Sequence, residues 1–221
     1  AVEWDKYCCD VLRRRKDEGW WPEAEIIEGD VSSFSGERYA GEVDCIHAGF
    51  PCQDLSFAGE RKGLEGNRSI LYEEALRIFG EVRPHYLFLE NVPGIFTANG
   101  GEAFNRVMSD LASLGLDTRW ACLRASEVGA NHHRDRWWCL AYADGKRCEQ
   151  LSPTESIQKE HNTAELCGSG GTGWWETEPN VGRVDNGVAQ RGNRLKMLGN
   201  GQVPLQAAAA WVMLGGPVEW E

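Results

Sequence analysis

The first residue that could do chemistry is Cys52, in the segment Gly49-Phe50-Pro51-Cys52-Gln53. This segment directly follows a predicted strand over residues 43–48, and reactive groups of open parallel sheets collect where the strands end. A thiolate at this place can attack an electron-poor carbon if its surroundings lower the pKa of the thiol. The alternative is a buried, inert cysteine, which is the interpretation we give to Cys45, Cys122 and Cys139.

The second candidate is Glu90, which follows the apolar run Tyr86–Leu89 and begins the segment Glu90-Asn91-Val92. A carboxyl group after an apolar strand is poorly solvated, so its pKa should rise and it can donate a hydrogen bond. If the strands before Cys52 and Glu90 are parallel, both side chains lie at the same rim of the sheet. The alternative is a carboxylate that caps a helix or pairs with an arginine.

The third candidate is the segment His132-His133-Arg134-Asp135-Arg136, which precedes a predicted strand over residues 137–142. Alternation along an extended chain points Arg134 and Arg136 to the same side. Two guanidinium groups suit a phosphate or a carbonyl oxygen. The alternative is a charged turn that makes ordinary salt bridges.

An α/β domain must position these residues, because predicted strands and helices alternate along the chain. After a short apolar segment over residues 1–4, the predicted strands are residues 43–48, 86–89, 120–123 and 137–142, the last two being adjacent. The predicted helices are residues 6–15, capped by Asp5, and then residues 70–79, 104–114 and 204–214. This alternation predicts a mostly parallel sheet with helices on both faces.

Composition and charge narrow the classes of protein. The chain has 221 residues, of which 42% are hydrophobic, and its eight cysteines form no Cys-x-x-Cys pair, so neither a disulfide scaffold nor a bound metal is expected. No apolar run reaches the ~20 residues of a membrane span, and we expect a cytoplasmic protein. The net charge of -11 opposes nucleic-acid binding except through a local basic cleft.

Taken together, these motifs resemble the DNA cytosine-5 methyltransferases. Pro51-Cys52-Gln53, Glu90-Asn91-Val92, His132-x-Arg134-x-Arg136 and Gly199-Asn200 occur in the order found in that family, and the similarity extends from Glu3 to about Pro204. The resemblance implies a Rossmann-like, S-adenosylmethionine-dependent methyltransferase sheet. Residues 1–143 would form the catalytic domain, residues 144–193 a short, loop-rich target-recognition region, and residues 194–221 a return to the catalytic domain.

The resemblance also implies a mechanism. Cys52 attacks C6 of a flipped-out cytosine, C5 then takes the methyl group, and loss of the C5 proton releases Cys52. Glu90 contacts N3 and the exocyclic amine, while Arg134 and Arg136 hold the base oxygen and order the loop that bears Cys52. Base flipping agrees with physical reasoning, because the target atom cannot be reached inside a stacked duplex.

The implied binding residues fall into two groups. The cofactor S-adenosylmethionine is held by Glu3 at the ribose and Asp30 at the adenine, together with Trp4, Val31, Pro51 and Asn200. The contacts with double-stranded DNA are assigned to Gln53, Ser56, Arg61, Lys62 and Asn91. Arg61 and Lys62 belong to a glycine-containing loop that could close over the phosphates.

The chain departs from the family pattern in three places. No Phe-x-Gly-x-Gly turn, which in the family wraps the methionine part of the cofactor, precedes Glu3, so we expect the sheet to lack a central strand. Asn131 and His132 stand where the family often has proline and glutamine. Gly168–Gly173 matches Gly-x-Gly-x-x-Gly only as text, because it neither follows a predicted strand nor opens a predicted helix.

Three alternative functions remain at this stage. One is a catalytically incomplete relative that binds DNA or a protein partner, another is an RNA cytosine-5 methyltransferase, and the most distant is a Cys–His hydrolase. For the methyltransferase we expect double-stranded DNA as the partner, with a cognate restriction endonuclease in a restriction–modification setting. A monomer without membrane contact, in the cytoplasm of a bacterial or phage-infected cell, is the favoured state.

Overall fold

The computed structural model describes residues 1–51, 70–142 and 201–218 of the chain. The strands are β1 Val2–Glu3, β2 Ile27–Glu28, β3 Cys45–Gly49, β4 Tyr86–Asn91, β5 Asp117–Arg124 and β6 Asp135–Tyr142. The α-helices are α1 Lys6–Asp17, α2 Ile70–Val82, α3 Glu102–Ser113 and α4 Pro204–Met213. The predicted helices and the four predicted strands are therefore confirmed with small shifts of their ends. None of the helices in the described ranges is long and apolar enough to cross a membrane.

The strands form two sheets within the described residues. β1 and β2 make a parallel pair, and a second sheet has the strand order β3-β4-β6-β5. In this second sheet β3 and β4 are parallel, whereas β6 is antiparallel to both β4 and β5. The predicted common strand direction holds for β3, β4 and β5, and β6 is the reversed strand of this sheet. The reversal arises because only residues 125–134 connect β5 to β6, and a parallel crossover needs about a dozen residues or more.

Helices cover both faces of the four-stranded sheet, as predicted. Alternate residues of β4 and β6 point to opposite faces. Leu87, Leu89, Trp137 and Cys139 pack with α2 and α3, whereas Phe88, Trp138, Leu140 and Tyr142 pack with α4. The central strands β4 and β6 are buried on both faces, which explains why they read as continuous apolar runs.

Helix α2 also holds the turn that follows β2. The Arg77 guanidinium donates hydrogen bonds to the backbone oxygens of Val31 (3.0 Å) and Phe34 (2.8 Å). One turn further along the helix, Glu81 accepts a hydrogen bond from the backbone N–H of Gly36 at 2.6 Å. The segment that contains Asp30 and Val31 is therefore fixed by polar contacts with a helix that is distant in sequence.

Close packing of this turn on α2 gives a prediction about two glycines. A Cβ on Gly36 would lie 2.7 Å from Val82 Cγ2 and 3.2 Å from Ile78 Cγ2, whereas a Cβ on Gly80 would meet nothing within 4 Å. We expect Gly36→Ala to lower the free energy of unfolding by about 1–3 kcal/mol. Gly80→Ala, at an exposed position in the last turn of α2, should raise it by about 0.5–1 kcal/mol. Urea unfolding of both variants measures the two values, and a destabilisation by Gly80→Ala would contradict the packing described.

Candidate active site

The parallel strands β3 and β4 end side by side, with Gly49 opposite Glu90 and His47 opposite Phe88. Beyond Gly49 the chain is held by Phe50, which is 6% exposed and lies 5.1 Å from the ring of Tyr72. Pro51 is exposed at the end of this described segment. The register thus places Glu90 at the rim from which the chain continues toward Cys52.

Glu90 forms an ion pair inside this rim. Its Oε1 lies 2.7 Å from Arg136 Nε, and the side chains of Glu90 and Arg136 are 14% and 17% exposed. Burial raises the pKa of the Glu90 carboxyl group, although Arg136, Arg134 and a hydrogen bond from Gln202 act in the opposite direction. Loss of water is the larger effect, and Glu90 therefore keeps its proton to a higher pH than an ordinary glutamate.

Arg134 reaches the site from a strained backbone position. Its φ of 35° lies in a region that residues other than glycine seldom adopt, and its carbonyl accepts a hydrogen bond of 2.8 Å from Gln206 Nε2. Its guanidinium donates a hydrogen bond to the carbonyl of Gly201. Desolvation and the neighbouring Arg136 lower the pKa of Arg134, while Glu90 raises it. Two guanidinium groups thus share the surroundings of one carboxyl group.

His47 and Gln202 belong to the same site, although sequence reasoning did not select them. Gln202 Nε2 lies 2.9 Å from His47 Nε2, and the Gln202 side chain acts as a nearby hydrogen-bond donor that lowers the pKa of Glu90. His47 is an exposed residue, yet desolvation lowers the pKa of its ring to about 4. Even the ordinary value of 6.5 leaves the ring mostly neutral at pH 7.5. The signal available in the sequence was a polar side chain inside an otherwise apolar strand.

Glycine at position 49 leaves room for the carboxyl group. A Cβ on Gly49 would lie 3.1 Å from Glu90 Oε2, which is closer than an ordinary van der Waals contact. Any larger residue would press on Glu90 and disturb its ion pair with Arg136. The glycine that ends β3 therefore leaves the Glu90 carboxyl group space that a side chain would reduce.

The residues predicted to bind the cofactor lie at the ends of β1 and β2. Glu3 ends β1, and its Oε1 accepts a hydrogen bond of 2.8 Å from the backbone N–H of Asp5. Trp4 is 73% exposed. Asp30 caps the turn Val31–Ser33 and accepts hydrogen bonds from the backbone and side chain of Ser32, which hold the pKa of Asp30 below its ordinary value.

A cavity of about 320 Å³ lies beside Asp30. It is bordered by β1 and β2 residues and by the turn that α2 holds; its lining includes Val2, Ile27, Gly29, Asp30, Phe34 and Arg38. Glu3 and Trp4 do not line it. These features fit a nucleoside. Carboxylates such as those of Glu3 and Asp30 accept hydrogen bonds from ribose hydroxyls, and an exposed indole such as that of Trp4 stacks on a base.

The remaining predicted residues fall outside this description or are buried. Cys52, Gln53, Ser56, Arg61, Lys62 and Asn200 lie outside the described residues. Asn91 was assigned to DNA, but its side chain is 3% exposed and its Oδ1 accepts a hydrogen bond of 2.8 Å from the backbone N–H of Val92. Burial of this kind favours a role in shaping the end of β4 over a direct contact with DNA.

The fold and the rim together define a methyltransferase-like α/β protein, and comparison with known proteins supplies the family. The family model of the C-5 cytosine-specific DNA methylases matches residues 1–198. The chain therefore belongs to the C-5 cytosine-specific DNA methylase family, as the order of its motifs predicted.

Two curated relatives illustrate the similarity. The chain is 31% identical over 189 residues to the Type II methyltransferase M.CviJI of Paramecium bursaria Chlorella virus IL3A, which covers 85% of this chain and 47% of that protein. It is 44% identical over 124 residues to the Type II methyltransferase M.BbvI of Brevibacillus brevis, covering 52% of this chain and 31% of that protein. The chain thus spans half or less of these two relatives.

Solved structures agree on the fold. The S. pombe Dnmt2 methyltransferase superposes with a TM-score of 0.56 at 18% identity, over 73% of this chain and 47% of that chain. A putative DNA modification methyltransferase encoded within an E. coli prophage superposes with a TM-score of 0.50 at 25% identity, over 64% of this chain and 39% of that chain. The predicted Rossmann-like methyltransferase class is confirmed by these neighbours.

Proposed function

We propose that this chain carries the catalytic residues for methylation of C5 of cytosine in double-stranded DNA, with S-adenosylmethionine as the methyl donor and Cys52 as a covalent nucleophile. The observation that supports it best is the buried Glu90–Arg136 pair beside Gly49. A protein that only binds DNA has no use for a carboxyl group with a raised pKa beside a segment that leads to a cysteine. An enzyme that must hold and protonate a base needs such a group.

In this mechanism Cys52 adds to C6 of the base while Glu90 acts on the opposite edge of the ring. The electrons of the C5–C6 double bond move toward N3, and a protonated Glu90 donates its hydrogen bond there. The added electron density makes C5 nucleophilic. Arg134 and Arg136 place positive charge near the carbonyl oxygen of the base, where negative charge also develops. Because C6 lies inside the stack of a duplex, the cytosine must leave the helix before Cys52 can reach it.

The cofactor supplies the electrophilic methyl group when it is bound. Glu3 would accept hydrogen bonds from the ribose hydroxyls, Asp30 would face the adenine, and Trp4 would cover the base. These residues have the chemistry that a nucleoside requires, and the cavity beside Asp30 is of a size that small ligands occupy. Val31, Pro51 and Asn200 are proposed as further cofactor contacts, because they occupy the corresponding positions in the ordered motifs.

The net charge of -11 repels DNA, so a DNA substrate requires a local cluster of basic residues. Arg134 and Arg136 come together at the rim, and Arg61 and Lys62 follow Cys52 along the chain. With Arg134 and Arg136 engaged at the base, Arg61 and Lys62 would neutralise only a few phosphates, so the salt dependence of binding should be shallow. Gln53 and Ser56 are proposed as further DNA contacts. The Type II names of the relatives suggest a cognate restriction endonuclease as the cellular partner.

The test is methyl transfer from radiolabelled S-adenosylmethionine to unmethylated genomic DNA, with transfer RNA as a second substrate. Genomic DNA contains every short target sequence, so the recognition site need not be known. Label in 5-methylcytosine of DNA supports the proposal. Label in RNA alone would assign the same chemistry to RNA, and no label with either substrate from a folded chain would overturn the proposal for this polypeptide.

A further inference from the structure

We propose that Gln202 is a positioning residue that, braced by His47, aims the Glu90 carboxyl group at the base. This inference rests on the proposed function, because it assigns a partner to the group that acts on the cytosine ring. Neither residue belongs to the motifs on which the sequence reasoning relied.

The hydrogen bonds of Gln202 are consistent with a bridge. An amide nitrogen carries two protons. Gln202 Nε2 lies 2.9 Å from His47 Nε2, and the same side chain is a donor that acts on Glu90 and lowers its pKa. One proton can go to each acceptor if the His47 ring is neutral and carries its own proton on Nδ1. Both donors of the amide are then satisfied, so the amide has one preferred orientation.

His47 is a firm support for this bridge because its ring packs against buried aromatic side chains. The His47 centroid lies 5.4 Å from that of Phe88 and 6.5 Å from that of Trp138. Phe88 and Trp138 themselves stack at 5.1 Å, and Trp138 is 0% exposed. These two contacts restrict the plane of the imidazole ring.

The segment that carries Gln202 is fixed on both sides. Before it, Gly201 accepts a hydrogen bond from Arg134, and after it Gln206, which is 1% exposed, donates to the backbone oxygens of Leu123 (2.7 Å) and Arg134 (2.8 Å). Three strands and the start of α4 therefore meet around one carboxyl group. Arg134, Arg136 and the neutral His47 are the titratable groups described near Glu90, and Gln202 is the uncharged donor among them.

The decisive variant is Gln202→Met, which keeps the length of the side chain and removes its N–H groups. The ionised form of Glu90 loses a donor, so Glu90 should titrate at higher pH than in the parent protein. The alkaline limb of the pH–rate profile should move to higher pH with it. We expect kcat for methyl transfer to fall about tenfold with KM for DNA within about twofold, the pattern of a lost transition-state contact.

A pair of histidine variants provides the matched control. His47→Phe keeps a ring on the aromatic platform but removes Nε2, and it should shift the titration of Glu90 in the same direction by less. His85→Phe changes an exposed histidine that makes no contact with this site, and it should leave both the titration and kcat unchanged. Because His47→Phe preserves the packing of the ring, its effect on the titration of Glu90 tests the inference even if Gln202→Met folds poorly.

The readout that separates this inference from the proposed function is the titration of Glu90 by NMR of ¹³C-labelled glutamate carboxyl groups, assigned with Glu90→Gln. It needs no activity, so it decides the role of Gln202 even if the parent protein transfers no methyl group. A Glu90 signal that titrates alike in the parent and Gln202→Met would overturn the inference. A lower kcat without a change in that titration would overturn it too, since it would show only a structural role.

Discussion

Cys52→Ala is expected to abolish methyl transfer while leaving the fold intact. Without the thiolate no bond forms to C6, so C5 never becomes nucleophilic enough to take the methyl group. Removal of a covalent nucleophile typically costs far more than loss of a binding contact, and we expect the rate to fall by at least about a thousandfold. The measurement is the rate of label transfer to DNA at saturating cofactor.

The matched control is Cys122→Ala, which removes an exposed free thiol from β5 and should keep the parental rate. A direct test of the covalent bond uses DNA in which 5-fluorocytosine replaces cytosine throughout, so that the recognition site need not be known. The fluorinated C5 has no removable proton, so the adduct persists and the protein migrates with DNA on a denaturing gel. Transfer by Cys52→Ala at the parental rate, or an adduct formed by that variant, would exclude Cys52 as the nucleophile.

Much of the fold could be predicted because local signals and burial agree. β4 and β6 are covered on both faces, which makes their sequences continuously apolar and easy to recognise. Helix α1 begins with Asp5 accepting hydrogen bonds from the backbone of Tyr7 and Cys8 and ends in a basic turn. Each of these signals lies within a few residues of the element it specifies.

Strand direction was predicted less well, since it depends on topology. The pattern of strands and helices indicates a mostly parallel sheet, and β3, β4 and β5 do run in one direction, whereas β6 is reversed. The reversal at β6 follows from the short connection over residues 125–134, which carries only a short 3-10 turn over Ala125–Val128. The length of that connection was visible in the sequence and was the signal to use.

In the candidate site, too, residues within short motifs were predicted, whereas residues brought in from distant parts of the chain were not. Glu90, Arg134 and Arg136 were predicted from motifs, and the structure brings them together around one ion pair. Gln202 was not predicted, because its importance arises only when the segment before α4 returns to strands that precede it by more than a hundred residues in the chain. Asn91 was selected from its motif as a DNA contact, whereas alternation along β4 points its side chain into the core.

The second prediction with a large effect concerns Glu90→Gln, which keeps the size of the side chain and removes the ionisable proton. The glutamine oxygen can still accept a hydrogen bond from Arg136, so we expect the variant to fold. An amide cannot deliver a carboxylic acid proton toward N3, and we expect kcat to fall by about a hundredfold or more. Glu102→Gln, in the exposed first turn of α3, is the matched control and should retain the parental rate.

The same variant should change how stability depends on pH, and the sign follows from the raised pKa of Glu90. Between the unfolded and the folded pKa values the folded protein holds a proton that the unfolded chain has lost, so stability falls as pH rises through that interval. Glu90→Gln removes this contribution, and its urea-unfolding free energy should decline less than that of the parent as pH is raised above 4.5, the ordinary value for glutamate. Parallel curves for the two proteins would mean that burial does not hold the proton on Glu90, and the acid role in catalysis would then have to be assigned to another group.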